Sequence, residues 1–219
     1  MRTTANPGAM LIGTVANLWR YPVKSLRGEA LQRARVLADG LENDRTAALL
    51  VETPTHARAG KPLRGKENNR LHLTADPETA ASYAADDGAV VTLDRTLPRY
   101  FDARPVSVLL DRWVADVEAL VGAALDPRRW RPNVFVRSAT ETVWRERDLV
   151  GGTLRAGDVA LRVLQPITRC VTPNYDVETG EALPEVLDAV VRERDAKVGV
   201  YCEVLTPGTI ALGDELALV

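Results

Sequence analysis

The sequence predicts an α+β protein built on a closed β-barrel with a few helices, preceded by a short β-rich N-terminal extension. Three observations carry this expectation. Most apolar residues fall in short runs of strand length bounded by Gly, Pro, Asn or Asp. Two stretches, TLRAGDVALRVL (153–164) and TIALGDELALV (209–219), repeat the order strand, Gly-Asp turn, strand, which is a hairpin signal. Helical spacing of apolar residues is confined to two places. With 219 residues the chain is long enough for one large core or two smaller ones, and no Pro- or Ser-rich linker divides it. Any boundary between a β-rich region, 11–100, and a barrel domain, 101–219, is therefore a soft one near residue 100.

Taken in order, LIGTVANLWRYPV opens the chain as a strand that ends at Pro22, which cannot donate to a ladder. ALQRARVLAD alternates apolar and polar residues up to Gly40, and RTAALLV is a short apolar run of buried-strand length. Residues 52–69, polar and rich in Gly, Pro and Asn, predict a long loop, and loops of this length inside compact domains are often functional. RLHLTA (70–75) and AVVTLD (89–94) are read as further strands, with a turn at DDG between them. VSVLL leads into a helix over 111–124, with Asp111 as N-cap and Trp113, Val114, Val117, Leu120, Val121 and Ala124 on one face. DPRRW breaks that helix and NVFVR returns to strand. A second helix is predicted over 182–195, followed by the strand VGVYCEVL.

Composition excludes several functions. Hydrophobic residues make up 46% and charged residues 26%, an ordinary globular balance, and a net charge of -2 provides no basic field for nucleic acid. No run approaches the roughly 20 apolar residues needed to span a bilayer, so no membrane span is expected. MRTTANPGAM has no apolar centre and does not read as a secretory signal; with only two cysteines, this points to the cytoplasm. His56 and His72 are the only histidines, and neither a C-x-x-C, an H-x-x-x-H nor a phosphate-binding G-x-x-x-x-G-K-[ST] occurs.

The residues that could carry chemistry lie at strand ends. Cys170, preceded by Arg169, stands before an Asp-x-x-x-Gly turn; a neighbouring cation favours the thiolate, the form that attacks and binds metal, whereas most free cysteines are small buried hydrophobes. Local sequence leaves both readings open. Cys202, inside an apolar strand, reads as core. Lys24 and Ser25 follow Pro22, and lysine is rare here, occurring at 24, 61, 66 and 197. Either could donate to an anionic oxygen, or lie solvated in a turn. Arg45 could hold phosphate or simply pair with a carboxylate. Arg131, Asn133 and Asp102 mark two more strand starts. These ends can converge at one barrel mouth, a common place for a ligand.

In this order, YPVKSLRGE (21–29), GLENDR (40–45), RWRPNVFV (129–136), ITRC (167–170) with DVETG (176–180), and VYCEVLTPGTIALGDEL (200–216) resemble the MOSC domain, named for the C-terminal domain of molybdenum cofactor sulfurases. The likeness extends to the branch with an N-terminal β-rich MOSC extension, which holds the mitochondrial amidoxime-reducing component and bacterial N-hydroxylamino-compound reductases. It implies a barrel that binds molybdenum cofactor, a pyranopterin with a phosphate tail and a dithiolene-held metal. It implies Cys170 as thiolate ligand to molybdenum, Asp102 as an acid near the metal, and Lys24, Ser25, Arg45, Arg131, Asn133, Thr168 and Arg169 as cofactor-binding. Thr168 stands where relatives carry serine. The activity implied is reduction of small N-hydroxylated substrates, with electrons from a separate ferredoxin- or flavoprotein-type donor, since no flavin or haem motif is present. A non-catalytic cofactor carrier and a sulfur-transfer protein using a Cys170 persulfide are the alternatives.

Overall fold

The computed structural model describes residues 9–53, 58–139 and 144–219. His56 and the first part of the expected long loop, 54–57, lie outside the described residues. The elements are β1 (Met10–Arg20), β2 (Glu29–Leu31), β3 (Arg33–Leu37), β4 (Gly40–Leu41), β5 (Ala48–Thr53), α1 (Pro77–Asp86), β6 (Val90–Asp94), β7 (Val106–Leu110) and α2 (Asp111–Val121). They continue with β8 (Val134–Ser138), β9 (Thr153–Ala156), β10 (Val159–Thr168), α3 (Glu185–Arg194), β11 (Lys197–Thr206), β12 (Gly208–Ala211) and β13 (Glu215–Leu218).

Seven strands close a barrel in the order β1, β8, β7, β11, β10, β9, β13, with β13 pairing back onto β1. The fold class expected from sequence is the one observed. β7 and β8 run parallel, and a parallel pair needs a crossover, which α2 supplies on the way from one to the other. The remaining barrel pairings are antiparallel. Register shifts in β1, between Leu11 and Gly13 and again between Val15 and Asn17, bend this eleven-residue strand so that it can serve two neighbours. β2 extends β1; β3, β4 and β12 form a separate small sheet, and β5 and β6 a third.

Closure puts alternate side chains inside. Val106, Val108, Val134, Val136, Leu161, Val163, Val200 and Cys202 form the barrel core, capped by Trp113 and Val117 of α2 and Val186 and Val190 of α3. A smaller core, with Val23, Leu49, Val51, Leu71 and Ala80 among its members, lies under β5, β6 and α1. The polar cleft described below draws its walls from both regions.

Several expectations are corrected. Residues 70–75 form no strand; Leu71–Leu73 is a short 3-10 turn with Leu71 and His72 buried. The segment after it is a helix, α1, that the apolar spacing does not reveal because its buried face is alanine. Its start was nevertheless written in the sequence: Asp76 caps by accepting from the Thr79 amide at 2.8 Å, and Pro77 follows it. Residues 153–164 form the expected hairpin across Gly157-Asp158. Residues 209–219 do not, because β12 pairs with β3 while β13 pairs with β1 and β9. Asp111 is the first residue of α2, not its cap; its Oδ1 accepts from the amides of Arg112 (2.7 Å) and Ser138 (2.9 Å), tying the helix to β8. α2 stops at Gly122, which is left-handed at φ 70, so the helix is shorter than 111–124. The helix expected over 182–195 is α3, which also is shorter than expected, at Glu185–Arg194.

The two cysteines separate sharply. Cys202 is fully buried in the barrel core, and burial pushes its thiol pKa far up, while Cys170 is exposed. Titration with a thiol-specific disulfide reagent should therefore give one fast thiol in native protein, lost in Cys170→Ala, and the second only in denaturant. Cys202→Ala should cost about 1 kcal/mol of unfolding free energy or somewhat more, from the cavity it leaves, read by urea denaturation.

Candidate functional site

Where β1 runs out, Tyr21 turns inward and is buried. Its backbone amide donates to Oδ1 of the fully buried Asp44 at 2.7 Å, and the other Asp44 oxygen pairs with the Arg45 guanidinium. Arg45 lies 4.8 Å from the Tyr21 ring centroid and Arg131 lies 4.2 Å from it, both within cation–π range. The Tyr21 hydroxyl donates to the Pro132 carbonyl at 3.2 Å. Burial raises its pKa to about 12, outweighing the downward pull of Arg131 and Arg45. Gly28 makes room for this arrangement, since a Cβ there would stand 2.5 Å from a Tyr21 ring carbon. Ser25, Arg45 and Arg131 all hold left-handed backbones, at φ 70, 51 and 52, a region that costs side-chain-bearing residues energy and clusters at functional sites.

Beside this cluster opens a cleft of about 270 Å³. It brings together Lys24, Ser25, Arg45, Asp102, Arg131, Thr168, Arg169 and Cys170 of the residues singled out in the sequence. Lys24 is buried and pairs with Asp102, which reaches in from an exposed loop. Burial lowers the Lys24 pKa, offset in part by the Asp102 charge and hydrogen bond. For Asp102, burial would raise the pKa, but the charge of Lys24 and its hydrogen bond win and hold the carboxyl below its usual value. Arg169 is anchored by carbonyls, donating through Nε to Val198 and through Nη1 to Trp130, each at 2.7 Å. Burial brings its pKa down to about 10, so it stays cationic at neutral pH. Immediately after it, Cys170 exposes its thiol at the cleft, with Sγ 3.3 Å from Thr172 Oγ1.

Two of the expected ligand groups are engaged elsewhere. Asn133 does not line the cleft: its Oδ1 accepts from the Ser107 amide (3.1 Å) and hydroxyl (3.0 Å), and its Nδ2 donates to the Trp19 carbonyl (3.2 Å). The Ser25 hydroxyl donates to the Leu63 carbonyl at 3.0 Å. Conversely, sequence reasoning passed over Arg64, Lys66, His72, Arg129, Trp130 and Tyr201, all on the cleft wall. Arg129, Trp130 and Tyr201 lay within the motifs RWRPNVFV and VYCEVL, and Arg64 and Lys66 within the predicted loop. His72, placed in a supposed strand, carried no signal.

Among the described residues, no group of three or more His, Cys, Asp or Glu side chains is placed to hold a metal ion unaided. A metal here would have to arrive inside a larger group, with Cys170 adding one thiolate. The cleft suits the anionic end of such a group, because Arg131 and Arg169 line it with no carboxylate partner among the described residues.

Two consequences can be measured on ligand-free protein. Asp44→Ala removes the carboxylate that Arg45 and the Tyr21 amide share, and stranding a buried charge costs roughly 3–5 kcal/mol. Arg45→Ala should also destabilise, by leaving Asp44 buried and unpaired, whereas Arg35→Ala on the exposed Arg35–Glu42 pair should change stability by about 0–1 kcal/mol. Urea unfolding of the three variants checks the order. The second consequence concerns His72, whose pKa is lowered from 6.5 by burial, the Asp176 carbonyl pulling the other way, and by Arg131 and Arg129. A histidine with a depressed folded-state value contributes stability in full above its unfolded value and loses it as pH falls through the depressed one. Lowering the pH from about 7 to about 5 should therefore cost wild type more stability than His72→Phe, as followed by thermal melting across that range.

Two family models and one solved structure agree with this architecture. The MOSC domain matches residues 93–217, and the MOSC N-terminal beta barrel domain matches residues 12–83. Among solved structures, the YuaD protein from Bacillus subtilis aligns with a TM-score of 0.58 at 17% identity over 96% of each chain, a likeness of fold. YiiM from Geobacillus stearothermophilus aligns at 0.40 and 23% identity over 52% of this chain and 53% of that one. YiiM from Escherichia coli aligns at 0.43 and 16% identity, over 91% and 69%. No protein of curated function matches the chain by sequence. With more than half of its length matched by the MOSC domain itself, and most of the rest by its N-terminal companion, the chain belongs to the MOSC domain family.

Proposed function

We propose that this protein is a molybdenum-cofactor-dependent reductase of small N-hydroxylated compounds, acting in the cytoplasm and receiving electrons from a separate ferredoxin- or flavoprotein-type protein. Membership of the MOSC family supports a molybdenum-cofactor-related function. The observation that carries the finer reading is the exposed Cys170 thiol at a cleft whose lining includes Lys24, Arg45, Arg131 and Arg169. A soft thiolate suits a transition metal, and guanidinium and ammonium groups suit a phosphate tail.

When bound, the cofactor supplies two-electron redox chemistry at molybdenum. The chain supplies the rest. Cys170 contributes the thiolate ligand. Arg131 and Arg169 would hold the anionic end, with Arg45, Ser25 and Thr168 at the cleft wall. Removing the oxygen of an N–OH group as water consumes two electrons and two protons. The Lys24–Asp102 pair is the proton-holding group of the cleft: a lysine whose pKa is lowered by burial releases its proton more readily, and the Asp102 carboxylate keeps it charged until then. Tyr201, whose hydroxyl is raised above its usual pKa by burial, stays protonated and available as a donor.

The same exposed thiol favours one second reading, sulfur transfer through a Cys170 persulfide. Protein made in a host that synthesises the cofactor should carry about one molybdenum atom per chain, and Cys170→Ala should lose most of it. Benzamidoxime should be reduced to benzamidine by wild type with reduced methyl viologen as electron source; molybdenum without turnover would leave a carrier. Equal molybdenum in both proteins would remove the ligand role of Cys170. A persulfide on Cys170 in molybdenum-free protein, seen by mass spectrometry, would favour the second reading.

A further inference from the structure

Among the described residues, five buried side-chain polar atoms have no partner, and four of them, His72 Nδ1, Arg129 Nε, Trp130 Nε1 and Arg131 Nη2, belong to residues that line the cleft. Unpaired buried polar atoms are rare and costly, so four among the lining residues mark a wall built against something polar. Their chemistry is unequal. Arg129, Trp130 and Arg131 can only donate. His72 is different, because its Nε2 lies 2.9 Å from the Asp176 carbonyl oxygen, which can only accept. Nε2 therefore carries the hydrogen, and in the neutral ring Nδ1 is a bare acceptor. Burial keeps the ring neutral, and Arg131 and Arg129 oppose its protonation further, against the pull of the Asp176 carbonyl and carboxylate. The wall thus offers one acceptor beside three donors.

The surroundings favour a flat ring. His72 stacks on Tyr175 with centroids 6.2 Å apart and planes 24° apart. Tyr175, Trp19, Tyr21 and Val177 line a narrow apolar slot that shares His72, Arg129 and Arg131 with the larger cleft. Sequence reasoning attached no role to His72 or Arg129, and the proposed reaction uses neither.

We propose that this wall, centred on His72, is a subsite that reads the lactam edge of a planar heterocycle. His72 Nδ1 accepts from the ring N–H, while the arginines donate to the adjacent carbonyl oxygen. Two sources share that chemistry: the pterin ring of the molybdenum cofactor itself, and a separate heterocyclic substrate. The first source rests on the cofactor reading above.

The test uses pterin-6-carboxylate, a fluorescent ring with a lactam edge, and 2-naphthoate, a flat anion without one. Both are titrated into wild-type protein made without cofactor, into loaded wild type, and into His72→Phe and His72→Gln, with folding checked by melting. Cofactor-free wild type should prefer the pterin by about tenfold or more, the scale of one hydrogen bond to an otherwise unpaired buried group. His72→Phe, which keeps a ring beside Tyr175 but has no acceptor, should lose about that factor for the pterin and nothing for 2-naphthoate. His72→Gln, whose amide oxygen can accept, should retain part of the preference. Pterin binding abolished in loaded protein assigns the subsite to the cofactor; binding retained there assigns it to a separate heterocycle. Equal affinity of wild type for the two probes would overturn the subsite even if His72→Phe failed to fold. Undiminished pterin binding by folded His72→Phe would do the same. Molybdenum content of the same preparations is read separately, so loss of the subsite and loss of the cofactor reading give different results.

Discussion

The site depends on one buried carboxylate. Asp44 is wholly removed from solvent, and it is satisfied by a single guanidinium and a single backbone amide. Burying such a pair gains little over apolar packing, but once buried it tolerates no vacancy. It therefore acts as a constraint on geometry more than as a source of stability. It fixes the end of β1 against the turn before β5, and so fixes where Tyr21 points. Tyr21 in turn seats two guanidiniums from chain segments 86 residues apart, those of Arg45 and Arg131.

What holds each cation decides how much of its charge is left for a ligand. Lys24, Arg45, Arg64 and Arg129 meet carboxylates, those of Asp102, Asp44, Glu67 and Asp176. Arg131 and Arg169 are held by aromatic rings and carbonyl oxygens, which orient a guanidinium without neutralising it. The cleft therefore keeps net positive charge although the chain as a whole carries -2. An anionic end group would find fixed, oriented donors and need little rearrangement of the protein around it.

How much of this could be read from the sequence follows from what kind of signal each part leaves. Strand ends marked by Pro22, Asp44-Arg45 and Pro132 were legible because proline and paired charges interrupt apolar runs, and most of the predicted site residues do meet in one cleft. The closed barrel was legible as many short strands. Its pairing was not: the Gly213-Asp214 turn looks like that at Gly157-Asp158, yet the strands beside it go to different sheets, because pairing is set by distant partners rather than by the turn. α1 was missed because alanine fills its buried face, though its Asp76-Pro77 start could have been read. His72 was unreadable for a different reason. Its significance lies in an unpaired nitrogen, and that exists only once Asp176, more than a hundred residues away, has taken the other one.

Asn133 shows how a motif divides its labour. In Arg131-Pro132-Asn133 the first residue adopts a left-handed turn and lines the cleft, and the second lends its carbonyl to the Tyr21 hydroxyl. The third spends its whole amide on Ser107 and Trp19. Asn133 thereby ties β7 and β1 to the start of β8, at the parallel pair where the barrel depends on a crossover. A left-handed arginine is costly to hold, and it persists only where the next residues are pinned. Asn133 pins them from two strands at once. In this chain it braces the residue that lines the cleft, so adjacent residues of one motif divide into wall and brace, and the hydrogen bonds tell the two apart.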